Sequence, residues 1–201
     1  MGNKRYKFSR YSMYTHIQEF FDSKHLTSGI CLLIGDSLKD KGDGTIKIRN
    51  TAIIDMLPIG CKIIAPQYPD VDMQCMPYDN DTFDYIIADQ VLEHVRKPWI
   101  GVEEVRRVLK PGGFAVLTSA LIFYIHSVPH DYWRFTPDGL RVLCEDFSHI
   151  HRCDGTGDLS FVIDVFSGRG GRKVVPGTDL EKKAMSNDGK YTVSVWIIAE
   201  K

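Results

Sequence analysis

The sequence predicts an α/β protein built on an open parallel sheet. Three observations carry this expectation. Short apolar runs at 30–34, 52–56, 85–88 and 114–118 are each too short for a helix and are bounded by Gly, Pro, Asp or Asn, as buried strands are. Between the last two runs lies KPWIGVEEVRRVLKPGG, whose apolar residues recur at helical spacing, so the order there is strand, helix, strand. A chain that returns to its sheet in this way makes a right-handed crossover between parallel strands.

In chain order, Met13, Ile17, Phe20 and Phe21 share one face of a helix over about Arg10 to Ser23. Tyr6, Phe8 and Tyr11 stand just before it, so residues 1–28 are expected to form a helical lid, with simple packing as the other reading, and 29–201 the core of one domain. The helix after the third run begins near Pro98, presents Trp99, Val102 and Leu109, and is stopped by Pro111, Gly112 and Gly113. Thr136 and Pro137 open another helix, PDGLRVLCEDF, with Leu140, Leu143 and Phe147 toward the core. An irregular Gly-rich, charged stretch covers 155–190, and YTVSVWIIAEK closes the chain as a strand.

Composition narrows the function. The 201 residues carry a formal charge of −1, with 43% hydrophobic and 25% charged residues, which suits one globular domain and leaves no basic footprint for wrapping nucleic acid. The five cysteines are scattered and never spaced C-x-x-C, so reduced thiols and a cytoplasmic location are expected. No apolar run approaches a membrane-spanning length.

A ligand of an open parallel sheet lies beyond the carboxyl ends of the strands, where strand order reverses. Gly35 directly follows the first run, and Asp55 ends the second twenty positions later, a spacing at which a carboxylate can accept from a ribose diol. Downstream, DMQCMPYDNDTFDYIIADQVLEHVRKPWIGVEEVRRVLKPGGFAVLTSA and PHDYWRFTPDGLRVL resemble the small single-domain group of class I S-adenosylmethionine-dependent methyltransferases, with L-E-H-V, R-V-L-K-P-G-G and H-D-Y-W-R-F-T-P in sequence. The resemblance runs from Asp72 to Phe147. It implies a Rossmann-like, seven-stranded, mostly parallel sheet with an antiparallel last strand and helices on both faces. It further implies S-adenosylmethionine as cofactor, with Asp55 on the ribose, Asp72 and Met73 at the adenine, and Asp89 and Gln90 on the methyl-donor side. The first loop departs from the family pattern: Leu33 replaces an acid and Ser37 a glycine, so Gly35, Asp36 and Ser37 are expected to contact the amino-acid end of the cofactor.

Methyl transfer gains most of its rate from alignment, and a base is needed only where the acceptor loses a proton. His130 is the candidate base and Asp131 its orienting partner; Tyr11, His94, Tyr132, Trp133 and Arg134 are the candidate acceptor contacts. The other reading of this stretch pairs Asp131 with Arg134 to fix the loop. The sequence A-D-Q-V, where amide-directed members carry N-P-P-Y, points to transfer to oxygen on a small molecule or saccharide. No metal is expected: Pro129 separates His126 from His130, and His149, His151 and Cys153 read as a solvated strand face. Arg169, Arg172 and Lys173, among glycines, form a solvated loop or one that closes over a phosphorylated acceptor. The departures at Leu33 and Ser37 motivate a second class of function, a catalytically silent interaction module.

Overall fold

The computed structural model describes residues 6–35, 38–40, 46–48, 51–58, 60–66, 68–126 and 130–201. A 3-10 turn, Phe8–Arg10, leads into α1 (Tyr11–Ser23) and then β1 (Ser28–Ile34). The short strands β2 (Leu38–Asp40) and β3 (Ile46–Ile48) pair with each other, followed by α2 (Thr51–Ile54), β4 (Gly60–Ile64) and β5 (Phe83–Asp89). Next come α3 (Pro98–Val108), β6 (Leu109–Ala120), α4 (Pro137–Leu143), β7 (His149–Thr156), α5 (Leu159–Asp164), α6 (Asp179–Ala184) and β8 (Ser194–Glu200).

The main sheet runs β4-β1-β5-β6-β8-β7. Its β4–β1, β1–β5 and β5–β6 pairs are parallel, whereas β8 pairs antiparallel with both β6 and β7. The chain steps outward from β1 to β4 and returns to β5 on the other side of β1, which puts the reversal of strand order at the carboxyl ends of β1 and β5. Alternation along the strands feeds two cores. Leu32, Ile86, Leu117 and Ile197 face α3 and α4; Cys31, Leu33, Ile87, Val116, Trp196 and Ile198 face α1, Phe161 of α5 and Ala184 of α6. This is the expected α/β architecture with helices on both faces.

Two expectations change. The run 52–56 is not a strand: Ile53, Met56 and Leu57 recur at helical spacing and bury against the α1 side of the sheet. The second strand of the main sheet is instead β4, an edge strand in which Lys62 interrupts the apolar pattern that would have betrayed it. Gly60 admits the close pairing there, because a Cβ would fall 2.7 Å from the Thr27 carbonyl. The main sheet therefore has six strands among the described residues where the resemblance implied seven. The N-terminal segment is a layer of the core: Phe8 and Met13 are fully buried, and Phe8 stacks on Phe161 with ring centroids 4.4 Å apart. The Gly-rich stretch ties this segment down, since Tyr6, Phe8 and Ser9 exchange backbone hydrogen bonds with Val174, Arg172 and Gly170. Of that stretch's cations, Arg169 pairs with Asp164.

Candidate functional site

The rim at the reversal starts with Gly35, which leaves β1 at φ +124; a Cβ there would lie 3.1 Å from Val91 Cγ2 and 3.2 Å from the Asp89 carbonyl. Only glycine accommodates this conformation at such close approach to the β5 exit. Asp89 ends β5 with its side chain 4% exposed. Its Oδ2 accepts from Arg10 at 2.9 Å and Tyr14 at 2.8 Å, and its Oδ1 accepts from Thr118 Oγ1 at 2.8 Å. Burial opposes the Arg10 charge, yet Asp89 holds that guanidinium above its ordinary range, and burial with the Asp89 charge raises the Tyr14 phenol likewise. Gln90 follows at φ 56, its backbone N–H and its side-chain amide both donating to Thr118 Oγ1, at 2.9 and 3.1 Å.

Past Gln90 the chain makes a 3-10 turn, Leu92–His94. Glu93 is fully buried there; its Oε2 accepts from Ser119 Oγ at 2.7 Å, while Oε1 has no hydrogen-bond partner. Burial raises the Glu93 carboxyl above its ordinary range. The Glu93 carbonyl accepts from Tyr132 and Trp133, which fastens the segment after β6 onto the end of β5. Glu93, His94 and His126 each bring one ligand atom to within 4.8 Å of the other two.

Asp131 has a side chain 2% exposed, and it grips Arg134, with Nη2 to Oδ2 at 2.7 Å, and the His126 backbone N–H at 2.8 Å. The Arg134 guanidinium holds the Asp131 carboxyl well below the usual carboxylate range. This is the loop-fixing pair, and it corrects the expected role of Asp131: the imidazole beside its carboxylate is that of His126, with Nδ1 3.2 Å from Oδ2. His130 is exposed, stands with its ring 5.4 Å from that of Tyr132, and receives the His94 Nδ1–H on its backbone carbonyl. Trp133 donates its indole N–H to the Val95 carbonyl at 3.0 Å. A cleft of about 410 Å³ opens over this segment, with Ile122, Tyr132, Trp133, Arg134 and Phe166 among its lining.

The other predicted residues scatter. Asp55 lies at the opposite end of the sheet, in a hollow of about 450 Å³ beside Thr27, which precedes β1, and Pro58, which precedes β4. With no strand over 52–56 to carry it to the carboxyl rim, the ribose role expected for Asp55 is withdrawn. Asp72 accepts from the Gln74 backbone N–H at 2.8 Å; Met73 is buried against Gly101 of α3, and Gln74 accepts from the Lys97 backbone N–H at 3.0 Å. These contacts keep Asp72 near the start of α3, on the carboxyl side. Tyr11, an expected acceptor contact, donates to Glu181 of α6. Asp36 and Ser37 lie outside the described residues. His151 pairs with Glu200 at 2.6 Å and the buried Cys153 donates to the Pro137 carbonyl, so those two do not join His149 as a ligand set. Sequence spacing gave no sign of Arg10, Tyr14, Thr118 or Ser119, because their partners are distant in the chain.

Comparison with known proteins bears on the fold and on the centre of the chain. Residues 59–117 match a family described as methyltransferase domain. The ubiquinone/menaquinone biosynthesis C-methyltransferase UbiE of Teredinibacter turnerae is 32% identical over 92 residues, 44% of this chain and 35% of that protein. An uncharacterized methyltransferase of Mycolicibacterium vanbaalenii is 42% identical over 43 residues, 21% of this chain and 17% of that protein. The matches thus span well under half the length of these curated relatives. A SAM-dependent methyltransferase from Aquifex aeolicus superposes with a TM-score of 0.53 at 13% identity, covering 95% of this chain and 92% of the other. A SAM-dependent methyltransferase from Thermotoga maritima, described as a possible histamine N-methyltransferase, gives the same score and identity over 96% and 92%. The domain match thus covers the centre of the chain, and the solved structures share its fold.

Proposed function

We propose that the chain is an S-adenosylmethionine-dependent methyltransferase that modifies a hydroxyl of a neutral small molecule or saccharide. The observation that carries this reading is the cleft: an aromatic-lined hollow over the segment after β6, which is fastened to the β5 exit at Glu93 and lies downstream of the methyltransferase-domain match. Tyr132 and Trp133 are 45% and 38% exposed there, a surface suited to stacking against a sugar or other flat ring. Arg134 lines the same cleft, but Asp131 neutralises it, so a charged acceptor gains little.

The rim suits the cofactor best at its amino-acid end. Gly35, Gln90 and the Arg10–Asp89 pair would hold that end, and Asp72 with Met73 would face the adenine. Bound there, the cofactor supplies an electrophilic methyl carbon. The protein's share is to fix the acceptor hydroxyl and exclude water, the larger part of the acceleration in such displacements. Asp131 is committed to Arg134 and His126 and so does not orient His130; alignment rather than a His130–Asp131 dyad drives the reaction.

The test is calorimetric titration with S-adenosylhomocysteine, followed by radiolabelled methyl transfer to a panel of neutral glycosides, phenols and phosphorylated sugars. Saturable binding with label on neutral hydroxyl compounds supports the reading. No heat and no thermal stabilisation at millimolar ligand would sink it.

A further inference from the structure

We propose that Glu93, His94 and His126 form a binding site for a divalent transition metal of the zinc type, next to the cleft. The starting point is Glu93 Oε1, an orphaned carboxylate oxygen on a residue with no solvent exposure. A buried carboxylate with an unmet oxygen is costly, and in native proteins such an atom calls for a specific partner, an ion among them. Two imidazoles stand beside this carboxylate, and one ligand atom from each of the three residues lies within 4.8 Å of the other two.

The outer contacts of both rings are those of metal-ligating histidines. His94 donates its Nδ1–H to the His130 carbonyl. His126 Nδ1 lies 3.2 Å from Asp131 Oδ2 and 3.3 Å from the Tyr124 carbonyl, both of them acceptors, so its proton sits on Nδ1 as well. Each ring thereby keeps Nε2 as a free lone pair in a fixed orientation, and the Asp131–His126 contact is the carboxylate–histidine arrangement that raises ligand basicity. Asp131 is itself locked by Arg134, so the support extends one residue further out. Two nitrogen donors and one oxygen select borderline metals such as Zn²⁺ over Mg²⁺ or Ca²⁺, which want oxygen alone.

Three protein ligands leave coordination positions open, which separates a chemically active metal from a structural one closed by four. His126 contacts Asp131, which lines the cleft together with Tyr132 and Arg134. If the proposed function holds, a metal here would lower the pKa of an acceptor hydroxyl, so that its proton passes to solvent and the oxygen takes the methyl group without a His130–Asp131 dyad. That consequence rests on the methyltransferase reading; metal binding does not.

The experiment uses the full chain, treated with chelator and dialysed, without cofactor or acceptor, so its outcome is independent of methyl transfer. Zn²⁺ is titrated calorimetrically, Mg²⁺ serves as the control, and Co²⁺ is added as an optical probe. One equivalent of Zn²⁺ should bind, Mg²⁺ should not, and His126→Ala and His94→Ala should each weaken Zn²⁺ at least about tenfold. Both rings are only partly buried, so these variants keep the core, which a melting curve verifies; Glu93→Gln is the third arm. Absence of saturable Zn²⁺ binding, undiminished binding in both histidine variants, or a Co²⁺ spectrum with thiolate charge transfer from the free cysteines would overturn the proposal.

Discussion

Replacing Arg134 with Met tests whether this side chain fixes the loop or awaits a ligand. The substitution keeps much of the aliphatic stem and removes the guanidinium from Asp131, whose side chain is 2% exposed. Stripping one partner from a buried ion pair costs about 3–5 kcal/mol, because the remaining charge stays desolvated. Here Arg134 is 24% exposed and Asp131 retains the His126 backbone N–H, so water and that bond recover part of the loss. The expected destabilisation is about 2 kcal/mol, or about 4–8 °C in Tm for a chain of this size. The Trp133 and Tyr124 carbonyls lose a donor too, but both residues are exposed and water replaces it. Thermal melts by circular dichroism measure the effect, and a double-mutant cycle with Asp131→Asn isolates the pair. A shift under about 1 °C with no coupling between the two sites would refute the reading of Arg134 as a fixed structural cation.

Three further outcomes follow from the geometry. Gly35→Ala forces a side chain into a left-handed conformation against Val91 and the Asp89 carbonyl; a loss of about 1–3 kcal/mol in urea denaturation and weaker S-adenosylhomocysteine binding are expected, and unchanged values for both would remove Gly35 from the rim. Asp164 accepts from Lys183 and Arg169, and Lys183 in first place depresses its carboxyl below the ordinary 3.8. That stabilisation is present above the ordinary range and is lost as pH falls through the folded value, so Asp164→Asn should flatten the acid limb of a stability–pH profile by about 1 kcal/mol, given how exposed both cations are. Burial pushes the Cys144 thiol up to about 12 and Cys153 to about 11; iodoacetamide at mildly alkaline pH should therefore label the exposed Cys75 first and reach Cys144 only on unfolding, with mass spectrometry as the readout.

By itself the sequence determined the layered α/β architecture. Apolar runs of strand length, the Pro98 start and the Thr136 cap are local signals, and each is set by backbone chemistry within a few residues: Thr136 Oγ1 does accept from the Gly139 N–H at 3.0 Å. It also pointed to the rim, because Gly35 follows β1, Asp89 closes β5 and the segment from His130 to Arg134 lies beyond β6. The errors arose where local pattern was ambiguous. Ile53, Met56 and Leu57 fit a helix as well as the strand expected there, and that choice carried Asp55 to the wrong end of the sheet. Only the tertiary structure decided the partners. Asp89 meets an arginine and a tyrosine from the N-terminal helix region, and Glu93 meets His126 from beyond β6, because the strand order brings these segments to one edge. Which polar atoms are satisfied on burial, and that Glu93 Oε1 is not, is a property of that assembled edge that no window of neighbouring residues contains.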